Sequence, residues 1–186
     1  MWLLNTDRAV LHCFHHPESV PGGYTILSHV WEAREQTFAE TQELRAVCAT
    51  AGHSSRDRAS PKVRVSCTIA ERLGFRWIWY DTCCINKQSS SELSEAINTM
   101  FSYYSLAKVC CAYLCDVSSG SREAVNPEDS EFCRSRWHKR GWTLQVLISP
   151  PLMVFLSTNW GLHLARRWTS RSYFRRSLGC RSLSSK

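Results

Sequence analysis

The sequence lacks a secretory leader pattern: in the opening MWLLNTDRAVLHCFHH, Asp7 and Arg8 interrupt the place where an apolar h-region would run. No apolar run approaches the roughly 20 residues of a membrane span, so none is expected. There is no CxxC among the ten cysteines, which instead include the adjacent pairs Cys83–Cys84 and Cys110–Cys111. That spacing argues against a zinc ribbon, and no metal centre is expected. Cys67, Cys110 and Cys111 lie in apolar segments. They read as buried, reduced thiols of a cytoplasmic protein rather than as a disulfide framework. Acid is missing from Gly161 onward, where seven basic residues stand (Arg166, Arg167, Arg171, Arg175, Arg176, Arg181 and Lys186). The rest of the chain balances at 16 against 16. The sequence pI of about 9.0 therefore describes a tail, and a specific nucleic-acid-binding face on the domain is not expected.

What is present suits one α/β domain. The 186 residues are 44% hydrophobic and include 8 Trp, enough to build a core. The centre is Arg76 to Val117, RWIWYDTCCINKQSSSELSEAINTMFSYYSLAKVCCAYLCDV. Arg76 to Tyr80 is aromatic and β-branched, as a buried strand requires. Asp81 ends it, and a polar loop runs to Ser91. Ser89 and Glu92 have capping-box spacing. Leu93, Ile97, Met100 and Tyr104 follow at intervals of 4, 3 and 4, which predicts a helix with Ile97 and Met100 against the sheet. Val109 to Leu114 is a second apolar strand. The unit is βαβ, and in open α/β sheets ligands bind at the carboxyl edge of the strands.

On either side, Met1 to Phe14 reads as a short extended pair with a turn at Asn5-Thr6-Asp7. Tyr24 to Trp31 (YTILSHVW) reads as the first core strand. Helices are predicted near Ala39 to Ala49, over Lys62 to Leu73 with Gly74 as its stop, and over Trp142 to Ile148, ended by Pro150-Pro151. Leu152 to Leu156 is the last core strand. The four strands are expected to form one largely parallel sheet.

The candidate site residues follow from this frame. Ser28 and His29 are polar exceptions near a strand end. As strand neighbours they point to opposite faces and cannot act on one another, so His29 is a strand-end site or a packing residue. Arg140, in the basic run before a predicted helix N-terminus, is placed for an anion, with a solvated basic loop as the competing reading. Asp81 is either a loop organiser or a ligand-binding carboxylate. Glu92 is either a capping residue or an acid of the site. Cys84 lies in a loop close to a helix start, where a thiol can be reactive.

YTILSHVW, WIWYDTCCINK, SELSEAINTMFSYYSLAKVCCAYL and SRWHKRGWTLQ, in this order, resemble the HET (heterokaryon incompatibility) domain of filamentous fungi. The resemblance spans residues 24–160, with 1–23 as a lead-in and 161–186 as a tail. For that tail a disordered segment, a basic membrane- or nucleic-acid-binding segment and a truncated or mis-spliced terminus without a folded role all stay open. The family is implicated in non-self recognition and in cell death after fusion of incompatible cells. It is distantly similar to TIR domains, which implies a flavodoxin-like parallel sheet, assembly with itself or with sensor proteins, and NAD as a substrate in some members. The resemblance marks Trp31 and Trp142 as binding positions beside Ser28, His29 and Arg140, and Asp81 and Glu92 as the acids. Two positions depart from the pattern. Glu32 stands where the family has Gly after Trp31, and Val146 stands where RGWTLQEL would supply a Glu. A carboxylate there would stabilise positive charge developing on a ribose, and Val cannot. The resemblance thus implies a signalling or assembly module without a resident cofactor, with an NAD-cleaving effector, inactive for want of that Glu, as the alternative. If position 146 faces the cleft near Asp81 and Glu92, Val146→Glu is expected to restore turnover.

Overall fold

The computed structural model describes residues 1–118 and 130–167. The chain opens with a hairpin, β1 (Trp2–Asn5) and β2 (Val10–Cys13). Its turn is closed by Asn5, whose carbonyl accepts from Ala9 N and whose Oδ1 accepts from Arg8 N. β3 (Thr25–His29) follows, with every residue buried. It is shorter than the sequence suggests at both ends, which leaves Trp31 on the loop beyond it.

Three helices follow: α1 (Phe38–Ala51), α2 (Ser55–Arg58) and α3 (Pro61–Arg72). Thr37 caps α1 in a full capping box. Glu40 N donates to Thr37 Oγ1 (3.2 Å), and Thr37 N donates back to Glu40 Oε2 (2.8 Å). Ser60 caps α3, and Pro61 occupies its first turn, where the missing N–H costs nothing. Gly74, at φ 86°, turns the chain into β4 (Trp77–Trp79).

α4 (Ser90–Leu106) connects β4 to β5 (Val109–Tyr113). After the segment 119–129 come α5 (Glu131–Arg134), a 3-10 turn over Arg136–Lys139, α6 (Thr143–Ile148), β6 (Leu152–Leu156) and β7 (Leu162–Arg167). The sheet order is β2-β1-β4-β3-β5-β6-β7. The inner four strands are parallel, with antiparallel strands on both edges. The chain leaves β3 toward β4 and then crosses back to β5 on the other side. That reversal at β3 is the switch point at which doubly wound sheets open a crevice.

The structure corrects two expectations here. Ile97 is 44% exposed and Met100 only half-buried; the residues that α4 buries are Ala96, Tyr103 and Tyr104. The helix is rolled slightly: Leu93, Met100 and Tyr104 of the expected face still pack against the core, and Tyr103, edge-on to Trp79 beside Tyr104, takes the place expected of Ile97. The stretch after Trp160, for which no strand was expected, begins with β7, which pairs antiparallel with β6 from Leu162 to Arg167. Backbone hydrogen bonding there does not depend on an apolar period, so the polar sequence hid it. The remainder of the tail call, 168–186, lies outside the described residues.

Among the described cysteines none is in a disulfide. Burial pushes the Cys67 and Cys111 thiols up to about 12. Cys84 is buried too, with its Sγ 3.9 Å from the Ile78 carbonyl, so it is not the accessible loop thiol its position suggests. No helix of the described residues is long and apolar enough to cross a membrane.

Candidate functional site at the carboxyl edge

His29 ends β3 in the middle of the sheet, paired with Tyr113 on one side. Its side chain is wholly buried, yet neither ring nitrogen meets a hydrogen-bond partner among the described residues. Nε2 stands 3.7 Å from Glu35 Oε2 and 4.0 Å from Asp81 Oδ1. Two carboxylates thus converge on one imidazole. Glu35 comes from the loop between β3 and α1, and Asp81 from the loop after β4.

Each carboxylate is tied on its far side. Asp81 Oδ2 accepts from the Trp31 indole (2.9 Å) and faces Arg140 Nη2 (3.8 Å). Glu35 Oε1 accepts from the Lys62 ammonium and from Glu32 N, and Lys62 also pairs with Glu32 at 3.0 Å. Burial works against ionised Glu35, but His29, Lys62 and the Glu32 N–H outweigh it and hold the carboxyl down at about 2. Burial likewise works against charged Lys62, and its two glutamate partners hold it above the ordinary lysine value. The result is a continuous line of charge, Glu32–Lys62–Glu35–His29–Asp81–Arg140, drawn from four loops or strand ends and one helix. Lys87 adds a cation over the Trp31 ring, 3.7 Å from its centroid.

Four of the seven residues singled out from sequence, His29, Trp31, Asp81 and Arg140, are therefore brought together, and three are not. Ser28 points to the opposite face, where it accepts from the Trp137 indole (3.0 Å) in the core. Trp142 is the N-cap residue of α6 and is 48% exposed. Glu92 turns toward the N-terminal hairpin, accepting from Trp2 Nε1 (3.2 Å) and, weakly, Asn86 Nδ2 (3.5 Å). Its N–H donates to Ser89, but the return bond of a capping box is not made. Val146 does not face a cleft. It is 3% exposed and part of the hydrophobic core, because it shares the buried face of α6 with Thr143 and Leu147. Arg140, placed for an anion by its position before α6, faces the Asp81 carboxylate at 3.8 Å.

Glu35 and Lys62 are the residues that sequence reasoning missed. One signal was present. Lys62 lies in the first turn of α3, where the helix dipole disfavours a cation. A lysine there needs acids to face it. Among the described residues, no group of three or more His, Cys, Asp or Glu is placed to hold a metal ion.

Fold and site together define an α/β domain with acidic and basic side chains gathered around a buried histidine at the switch point of its sheet. The profile described as "Heterokaryon incompatibility protein (HET)" matches residues 24–127. Over 138 residues the chain is 40% identical to vegetative incompatibility protein HET-E-1 of Podospora anserina, covering 72% of this chain and 10% of that protein. The chain belongs to the heterokaryon incompatibility (HET) family. It spans about a tenth of the length of that curated relative. No solved structure matches it.

Proposed function

We propose that this chain is the signalling domain of a fungal incompatibility response, acting in the cytoplasm through assembly with itself or with a sensor protein to trigger cell death. The observation that supports this reading is the convergence of His29, Trp31 and Arg140 on the Asp81 carboxylate, the four residues coming from three separate family blocks. That carboxylate is internally paired, so the centre reads as a device that holds three loops in one arrangement. Trp31 and Trp142, both about half exposed, offer aromatic anchors at the surface for a partner. No carboxylate comes from α6, where Val146 is in the core.

A second reading is cleavage of NAD, with Asp81 and Glu35 as the acids in place of the missing glutamate. It rests on two buried-edge carboxylates flanking an unpaired imidazole at the carboxyl edge. The test is expression of the chain in a filamentous fungus, with cell death and cellular NAD followed together. Death with NAD unchanged, lost in Asp81→Asn and Arg140→Gln at equal protein level, is the expected result. NAD loss preceding death, and NAD consumption by the purified chain, would replace the first reading with the second. Survival of cells that accumulate folded protein would overturn both.

A further inference from the structure

A cavity of about 240 Å³ lies between the β1–β2 hairpin, the second half of α1 and the start of α2. None of the residues of the His29 centre lines it. Arg8 reaches it from the hairpin turn, His12 from β2, Arg45 from α1 and His53 from the turn after α1. Its charge is of one sign: two guanidiniums and two imidazoles line it, and no carboxylate does. Basic groups nearby are matched, as where Arg56 of α2 pairs with Glu71 at 2.7 Å. Among the described residues neither Arg8 nor Arg45 has an ion pair or a side-chain hydrogen bond. Burial lowers the pKa of His12, and the charge of Arg45 lowers it further. Basic side chains are thus crowded here without a counter-charge, and an anion among them would relieve the repulsion.

The second observation is independent of charge. Ser55 lines the cavity and is only 5% exposed. Its hydroxyl nevertheless makes no hydrogen bond among the described residues, and it is not sealed from solvent. Asn5 Oδ1 accepts from Arg8 N at 3.2 Å, which leaves the Asn5 amide nitrogen as a donor without a partner at the same cavity. A buried hydroxyl in that state calls for a polar partner.

We infer that this cavity binds the phosphate of a small phosphate monoester. Arg8 and Arg45 meet the dianion from two separate elements, and the imidazoles, the Ser55 hydroxyl and the Asn5 amide donate to its remaining oxygens. The volume is below the ~300–1,000 Å³ of ordinary ligand clefts, so it suits a phosphate with a few carbons attached and not a nucleotide. The inference stands or falls independently of the proposed signalling role.

Glycerol 3-phosphate is the probe, with dimethyl phosphate (one charge, a diester) and sulfate (two charges, no organic stem) as its controls. At about pH 7.5 the monoester is a dianion. Binding to the purified chain is followed by calorimetry and by the ring resonances of His12 and His53. The monoester is expected to bind about tenfold tighter than either control and to shift both resonances. Arg45→Gln should weaken it about tenfold, while Lys139→Gln, in the exposed 3-10 turn before α6, should leave it unchanged. Equal weakening by both variants would mean that net charge and not the cavity attracts the ligand, and would overturn the inference. So would equal binding of the monoester and sulfate to the wild type, a comparison that needs no variant to fold. Binding to phosphatidate vesicles with no response to glycerol 3-phosphate would overturn it in favour of a membrane headgroup. Heat of binding without a shift at His12 or His53 would put the phosphate elsewhere, and the inference falls.

Discussion

His29 Nε2 lies 3.7 Å from Glu35 Oε2, so the buried imidazole at the end of the central strand meets a mostly covered carboxylate from the following loop. The pair joins β3 to the loop that leads into α1, and through Lys62 to α3. Removing His29 leaves the Glu35 carboxylate without one of the neighbours that hold its pKa down.

The pH dependence of stability follows from Glu35. Its folded value, about 2, is depressed below the ordinary 4.5. Its contribution is therefore complete above about pH 4.5 and disappears as pH falls toward 2. A shift of that size corresponds to at most about 3 kcal/mol, shared with Lys62 and His29. Glu35→Gln should unfold at lower urea than the wild type at pH 7 and converge with it as pH approaches 2. Urea melts of both proteins across that window check this. A constant gap between them at all pH values would show that Glu35 acts by packing and not by charge.

The roll of α4 is tested by neighbouring substitutions. Ala96 is buried and Ile97 is exposed, one residue apart. Ala96→Asp should cost about 3 kcal/mol or more, since it places an unpaired carboxylate in the core. Ile97→Asp should stay within about 0.5 kcal/mol of the wild type. Chemical denaturation of the two variants is the measurement, and comparable losses would mean that the helix is rolled back toward the phase read from sequence.

The difference between those two phases marks what the sequence carried. The apolar runs at Thr25–His29, Trp77–Trp79, Val109–Tyr113 and Leu152–Leu156 were legible as strands because a doubly covered parallel strand has no polar face to dilute the signal. The phase of α4 was less legible. Leu93, Ile97, Met100 and Tyr104 satisfy a helical period, but so does a face centred on Ala96 and Tyr103, and a hydropathy pattern does not weigh ring area. At the site, His29 and Asp81 were legible as strand-end polar residues. Glu35 was not, since it sits in a polar loop where any acid looks solvated. Its role comes from contact with Lys62 and His29, 27 and 6 residues away along the chain, and spacing alone encodes neither.

Val146→Glu separates a core position from a cleft position. Val146 packs within the core on the inner face of α6. A glutamate there puts a carboxylate into the hydrophobic core, and the expected loss is about 3 kcal/mol or more. NAD turnover is not expected to appear. Thermal melting together with an NAD assay on the same sample decides the matter. A variant that melts with the wild type and consumes NAD would place this side chain in an open site.

The edge strand β7 gives the last test. The turn that launches it is anchored: Trp160, at φ 64°, stacks on Tyr113 with centroids 3.9 Å apart, and the Tyr113 hydroxyl donates to the Thr158 carbonyl at 3.0 Å. Ser157 N donates to the Gly161 carbonyl, closing the hairpin. β7 then pairs along the whole of β6, from Leu162 opposite Leu156 to Arg167 opposite Leu152. A chain ending at Gly161 loses this ladder and exposes the polar edge of β6, a buried strand with no charged residue to discourage pairing with another molecule. A chain ending at Arg167 keeps it. The shorter chain should melt about 5 °C or more below the longer and form concentration-dependent aggregates. The longer should melt with the full-length protein, since residues 168–186 are expected to add nothing to the sheet. Equal melting of the two truncations would mean that β7 contributes no stability. A fall already seen on removing 168–186 would mean that Trp168, Tyr173 or Phe174 docks on the domain.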